Sequence, residues 1–176
     1  TYTWTYTDCE GNTHDWVYTF TIEREDFIPA ANQSSTVACA ALAVAPTLPT
    51  VNDNCGTPIT PTGPAMSGDY DGCEGTIIFT YNYADCEGNN HDWVYTYTVE
   101  ALDFTLPANA GETIACPAAL YTPTAPAVND NCGNAITPVG PAISATPPCE
   151  GPVTYTWTYT DCEGNTHDWV YTYTIE

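Results

Sequence analysis

Tyr155-Thr156-Trp157-Thr158-Tyr159, then Asp161-Cys162-Glu163-Gly164-Asn165, then Trp169-Val170-Tyr171-Thr172-Tyr173-Thr174-Ile175 is the stretch that decides the fold. In the first run, rings occupy one face of an extended chain and threonines the other. In the last run, Trp169, Tyr171, Tyr173 and Ile175 alternate with Val170, Thr172 and Thr174. Period two over this length predicts two β-strands, since successive side chains point to opposite faces. The residues between them are turn formers, so the pair reads as an antiparallel hairpin. Its aromatic stripe has two readings: the inner face of a sandwich, or an exposed platform on which a ligand stacks.

Working outward, the same hairpin occurs three times. Asp161 to Thr172 repeats Asp8 to Thr19 without change and Asp85 to Thr96 with one change, Asn90 in place of threonine. Val51-Asn52-Asp53-Asn54-Cys55-Gly56 recurs from Val128 to Gly133, and Cys73-Glu74-Gly75 recurs as Cys149-Glu150-Gly151. The unit is about 76 residues, by the offset between Asp85 and Asp161. Residues 1–25 therefore read as the closing hairpin of a partial repeat, with complete repeats at 26–102 and 103–176. Short strands are expected at Glu112–Cys116 and Ala125–Val128, with a weaker one at Ala135–Val139. Nothing has helical period and length together. Six or seven short strands per unit predict an all-β chain of tandem immunoglobulin-like sandwiches. A lone hairpin is marginal in water. Residues 1–25 are therefore expected to be covered by upstream residues of a longer chain or by a neighbouring molecule.

Composition narrows the partners. The chain of 176 residues has one cation, Arg24, against 22 Asp and Glu, for a formal net charge of −21. Nucleic acid is excluded as a partner, because phosphate binding needs a basic face. Docking on anionic lipid is disfavoured for the same reason. No apolar run approaches the roughly 20 residues of a helical membrane span, so direct membrane insertion is not expected. With 13 Tyr and 5 Trp the chain is too aromatic to be disordered.

Nine cysteines divide as four per complete repeat plus Cys9. An even set in a small, loop-rich unit predicts disulfides and an oxidising compartment. Zinc is disfavoured, since no CxxC occurs and His14, His91 and His167 sit in equivalent hairpins. Cys149 and Cys162 bracket one strand, which holds them about 35–40 Å apart, beyond the reach of a bridge. If the last two strands are F and G in immunoglobulin order, Cys162 shares a pole with Cys116 at the end of strand B. Cys149 then lies at the other pole with Cys132. The expected bridges are Cys116–Cys162 and Cys132–Cys149, with Cys39–Cys86 and Cys55–Cys73 in the other repeat.

Cys116-Pro117, Asp130-Asn131-Cys132 and the hairpin Tyr159-Thr160-Asp161-Cys162-Glu163-Gly164-Asn165 resemble the hyalin-repeat (HYR) family of immunoglobulin-like modules. The added cysteine before the hairpin and the Thr/Tyr-rich strands are similar to repeats in giant SprB-like surface adhesins of gliding Bacteroidetes-type bacteria. Trp169 stands where the family usually has its late cysteine, so the family's own pairing does not carry over. The resemblance implies adhesion or fibre building, export to the cell surface and no catalysis. The expected function is a structural and adhesive segment of a secreted surface filament, its partners being neighbouring copies of the repeat. The alternative is a carbohydrate- or protein-binding extracellular module that uses the aromatic faces.

One further site is considered. If successive repeats join pole to pole, one junction gathers Asp53 and Asp103 with Asp161, Glu163 and Asp168. The junction before it gathers Asp26 with Asp85, Glu87 and Asp92. Crowded carboxylates suit Ca²⁺, which takes six to eight oxygens; the other reading is a solvated acidic pole. His14-Asp15 has no recurring nucleophile beside it, and Asn32-Gln33-Ser34, a match to the N-glycosylation acceptor pattern, occurs once.

Overall fold

The computed structural model describes all residues from Thr1 to Glu176. The partial repeat holds β1 (Tyr2–Thr7) and β2 (Thr13–Tyr18). The first complete repeat holds β3 (Gln33–Val37), β4 (Val51–Asn52), β5 (Pro58–Ile59), β6 (Thr62–Gly68), β7 (Gly75–Ala84) and β8 (Asn90–Val99). The second holds β9 (Ala110–Ile114), β10 (Val128–Asn129), β11 (Ala135–Ile136), β12 (Val139–Ile143), β13 (Gly151–Thr160) and β14 (Thr166–Ile175). The only helical pieces are two 3₁₀ turns, Ala40–Leu42 and Pro117–Ala119, each directly after a cysteine.

The chain is all-β, as its period-two runs require. Each complete repeat is built on one four-stranded sheet, ordered β3-β8-β7-β6 in the first and β12-β13-β14-β9 in the second. The long hairpins β7/β8 and β13/β14 form the centre, with Tyr81 opposite Trp93 and Trp157 opposite Trp169. The facing layer is thin: a two-stranded ribbon (β4/β5 or β10/β11) and extended chain. Extended segments can lie over the sheet because core side chains satisfy their carbonyls. Trp169 Nε1 donates to Ala108 O at 3.0 Å, Tyr159 Oη to Pro126 O at 2.7 Å and Tyr173 Oη to Tyr121 O at 3.1 Å. The first repeat copies all three bonds, Trp93 to Ala31 O, Tyr83 to Pro49 O and Tyr97 to Val44 O. No buried side-chain nitrogen or oxygen lacks a partner, as a core this rich in Tyr and Trp demands.

The aromatic stripes are core in both complete repeats. Val153, Tyr155, Trp157, Tyr159, Trp169, Tyr173 and Ile175 are buried together with Phe104 and Val128. In the partial repeat the same face is open: Trp4 and Trp16 are 46% and 51% exposed.

One strand departs from expectation. Immunoglobulin order puts the segment leading to Cys116 in strand B, ending at the pole of Cys162. It is instead β9, an edge strand parallel to β14, with Ile114 beside Ile175; β3 lies likewise on β8, with Val37 beside Val99. Asn109 Oδ1 extends this edge by accepting from Val170 N at 2.9 Å, and Asn32 does the same for Val94.

Candidate functional site: the joint between repeats

Parallel pairing fixes where each cysteine goes. Because β3 runs with β8, Cys39 emerges at the pole where β8 ends. Since β7 is antiparallel to β8, it begins at that pole, just after Cys73. At the facing pole of the next repeat are two turns of the same design, one leading from β10 to β11 and one from β13 to β14. Asp130 Oδ1 accepts from the N–H of Cys132 and Asn134, and Asp161 Oδ1 from that of Glu163 and Asn165. The side-chain amides of Asn134 and Asn165 donate to the second carboxylate oxygens. Such turns hold their cysteine by local hydrogen bonds alone. The glycine completing the hairpin turn has φ near +90° in all three repeats, at Gly11, Gly88 and Gly164, where an L side chain is strained.

The structure joins Cys39 to Cys132 and Cys73 to Cys162, with Cα–Cα distances of 5.6 and 5.7 Å. Both bridges cross from one repeat to the next. This corrects the expected Cys39–Cys86, Cys55–Cys73, Cys116–Cys162 and Cys132–Cys149. The reason is the strand assignment: with β9 parallel to β14, Cys116 shares its pole with Cys149, and Cys132 shares the opposite pole with Cys162. Cys9, Cys55, Cys86, Cys116 and Cys149 are free and exposed.

Between the bridges lies a cleft of about 200 Å³, lined by Tyr70, Val99, Ala101 and Leu102 from the first repeat and Asn131 and Asn134 from the second. Asn131 Nδ2 lies 3.7 Å from Cys39 Sγ, and Cys132 Sγ lies 3.2 Å from Ala38 O. Glu74 and Glu163 face each other across the joint. The hydrogen bond with Glu74 pushes the Glu163 carboxyl above the usual range, and desolvation and the Glu74 charge add to the effect.

The expected calcium set does not assemble, and no three His, Cys, Asp or Glu side chains converge as metal ligands. Asp53 belongs to the same pole as Asp85 of its own repeat, because the β4–β5 turn and the β7–β8 turn lie side by side. There Arg24 Nη1 donates to Asp53 Oδ2 at 2.7 Å, and Glu87 accepts from Arg24 N at 3.0 Å. The Thr57 backbone N–H, ahead of Arg24, holds the Asp53 carboxyl below its usual range. Asp26 pairs with His91 and Asp103 with His167, both at 2.9 Å. Asp92 accepts from Asn82 Nδ2, Asp168 accepts from Thr158 Oγ1, and Asp85 and Asp161 are spent on their turns. The Asp–His pairs went unread in the sequence, although Asp-Phe recurs at Asp26-Phe27 and Asp103-Phe104. Each phenylalanine packs edge-on against the histidine that its aspartate engages.

The geometry defines a class: complete β-repeats in tandem, each closed over its own aromatic core and the two joined by a pair of disulfides. The sequence profile of the HYR-like domain with 4 cysteines matches residues 1–22, 27–99 and 104–175, and the chain belongs to that family. Among curated proteins none matches it. No helix is long and apolar enough to cross a membrane.

Proposed function

We propose that this chain is a segment of a secreted cell-surface filament with a structural and adhesive role and no catalysis. The observation that carries the reading is the joint: two disulfides tie one repeat to the next and resist rotation or bending between them. A single tether permits a swivel; two tethers on separate turns do not. Repetition then supplies length, and many copies supply avidity for a surface. Membership of an adhesion-type family and disulfides suited to an oxidising exterior support export to the cell surface. Neighbouring copies of the repeat are the partners this reading requires. Antibodies to the purified chain, applied to intact source cells under electron microscopy, should decorate extended fibres outside the envelope. Labelling confined to the cell interior overturns the proposal.

A second reading draws on the open face of the partial repeat, where Tyr2, Trp4, Trp16 and Tyr18 form a row, each ring centroid within 6 Å of the next. It makes the chain a module for surface glycans or proteins. Against it, the same rings in both complete repeats are covered by the repeat's own chain. Titration of tryptophan fluorescence with soluble oligosaccharides separates the two: the filament reading expects no change, and saturable quenching supports the second.

A further inference from the structure

The bonded joint has an open counterpart at each end of the complete repeats. Moving one repeat along the sequence takes Cys39 to Cys116, Cys73 to Cys149, Cys132 back to Cys55 and Cys162 back to Cys86. The four counterparts are all exposed thiols. Their surroundings are also copied. Cys116 follows β9, which lies on β14 as β3 lies on β8. The chain leaves both edges alike, with Glu176 N donating to Ile114 O at 3.1 Å and Glu100 N to Val37 O at 2.9 Å. At the other pole, Cys55 N donates to Asp53 Oδ1 at 2.9 Å, as Cys132 N does to Asp130 Oδ1. The Asp85 turn that carries Cys86 repeats the Asp161 turn bond for bond at Glu87 and Asn89. Arg24 stands beside Cys86, Cys55 and Asp53, at the place that Ala101 occupies in the bonded joint.

We infer that each of these poles is half of a double disulfide joint with an adjacent copy of the repeat. Cys116 and Cys149 bond the cysteines of the following copy that correspond to Cys132 and Cys162. Cys55 and Cys86 bond those of the preceding copy that correspond to Cys39 and Cys73. Every joint then carries two bridges, and no bridge lies within a repeat. Each bridge forms by thiol–disulfide exchange with a small-molecule disulfide such as oxidised glutathione. One cysteine thiolate attacks the oxidant's S–S bond, giving a mixed disulfide and releasing one thiol. The second cysteine attacks the mixed disulfide and releases the other thiol. Two cysteine thiols lose two electrons and two protons, and the oxidant is reduced to two thiols.

The inference extends the filament reading and shares its premise that copies follow one another, but its test does not depend on where the protein resides. Glu176 occupies the position of Glu100 in the repeat, so a chain extended by appending a second copy of residues 101–176 after Glu176 builds one new joint. The 176-residue chain and the extended chain are oxidised with glutathione under dilute conditions. Unpaired cysteines, free or carrying one glutathione, are then counted by alkylation and mass spectrometry. The parent chain has five. The extended chain should also have five, because Cys116 and Cys149 become bonded while the added copy presents two new open thiols. Non-reducing peptide mapping should place Cys116 on the added equivalent of Cys132. Cys116→Ser in the extended chain should raise the count by one. A rise by all four cysteines of the added copy overturns the inference. A fall to Cys9 alone, the mark of pairing within each copy, also overturns it. Mapping the Cys39–Cys132 bridge in the same digest verifies that the sample is folded. Failure of surface labelling with an unchanged thiol count would refute the filament location and leave the joint standing.

Discussion

The hairpin of residues 2–18 and that of residues 151–175 share a turn sequence and a register, with Trp4 opposite Trp16 in one and Trp157 opposite Trp169 in the other. Even the ring contacts match, at 4.9 and 5.4 Å between indole centroids. Yet Trp16 is 51% exposed and Trp169 only 5%. Strand alternation and the Asp-Asn turn are therefore enough to set the shape. Burial comes from residues far away in the chain: Phe104, Val128 and the carbonyls of Ala108, Tyr121 and Pro126. The pair separates what a hairpin specifies locally from what a domain adds to it.

Removing a ring should expose that separation most sharply. Trp169→Ala opens a large cavity and strips Ala108 O of its donor, at an expected cost of about 3–5 kcal/mol to the second complete repeat. Trp16→Ala removes a half-exposed ring and should stay within about 0.5 kcal/mol. Guanidinium unfolding of the two variants measures both. Equal losses would mean that the cover contributes nothing.

The turns differ as well, since Cys162 is bridged and Cys9 is free. Opening the joint with a reductant should lower stability by about 2–4 kcal/mol per bridge, the usual range for closing long loops. Cys9→Ser should leave the unfolding midpoint where it was. If the midpoint is insensitive to a reductant shown by thiol counting to open both bridges, the joint is not a staple.

What was legible in the sequence follows the same division. The repeat, the hairpins and the aromatic face are encoded in patterns a few residues long, and each lies where its pattern puts it. Bridge partners are not local. Four cysteines per unit are satisfied equally well by pairing within a repeat or between repeats. The choice rests on which sheet edge Ala110–Ile114 joins, and a five-residue strand of Ala, Gly, Glu, Thr and Ile carries no signal for that. The carboxylate set failed for a related reason. Asp53 was placed at the wrong pole, so it meets Asp85 and Arg24 and never Asp161.

A smaller effect isolates one hydrogen bond of the cover. Tyr159 Oη donates to Pro126 O, whereas Tyr6, its equivalent in the open hairpin, is 65% exposed. Tyr159→Phe should cost about 1 kcal/mol, the net worth of an ordinary hydrogen bond with some penalty for the carbonyl left behind. Tyr6→Phe should be silent in the same unfolding assay. A measurable loss at Tyr6 would show that the open face has an unrecognised partner in solution.

Finest of all is the response to pH, which separates turn from joint by sign. Hydrogen bonding from the Asn12 side chain holds the Asp8 carboxyl below its usual range, and Asn89 does the same for Asp85. At Asp161 burial pushes upward, but the side chain and backbone of Asn165 outweigh it and the net shift is again downward. A carboxyl whose folded-state pKa is lowered contributes stability above its unfolded-state pKa and loses it as pH falls through the folded value. All three turns should therefore weaken together in acid, covered or not. Glu163 has the opposite sign. Its hydrogen bond with Glu74 favours the protonated form, so its contribution is present below the unfolded-state pKa and disappears as pH rises through the raised folded value. Carbon-detected NMR titration should find Asp8 and Asp161 both titrating low and Glu163 titrating high. Glu74→Gln should bring Glu163 back down, because an amide can donate to the carboxylate and carries no charge. Both carboxyls are exposed to solvent and screened by salt, so the change in stability should be the smallest of the series. An ordinary Glu163 titration in the oxidised chain would mean that the two acidic turns do not face each other across the joint.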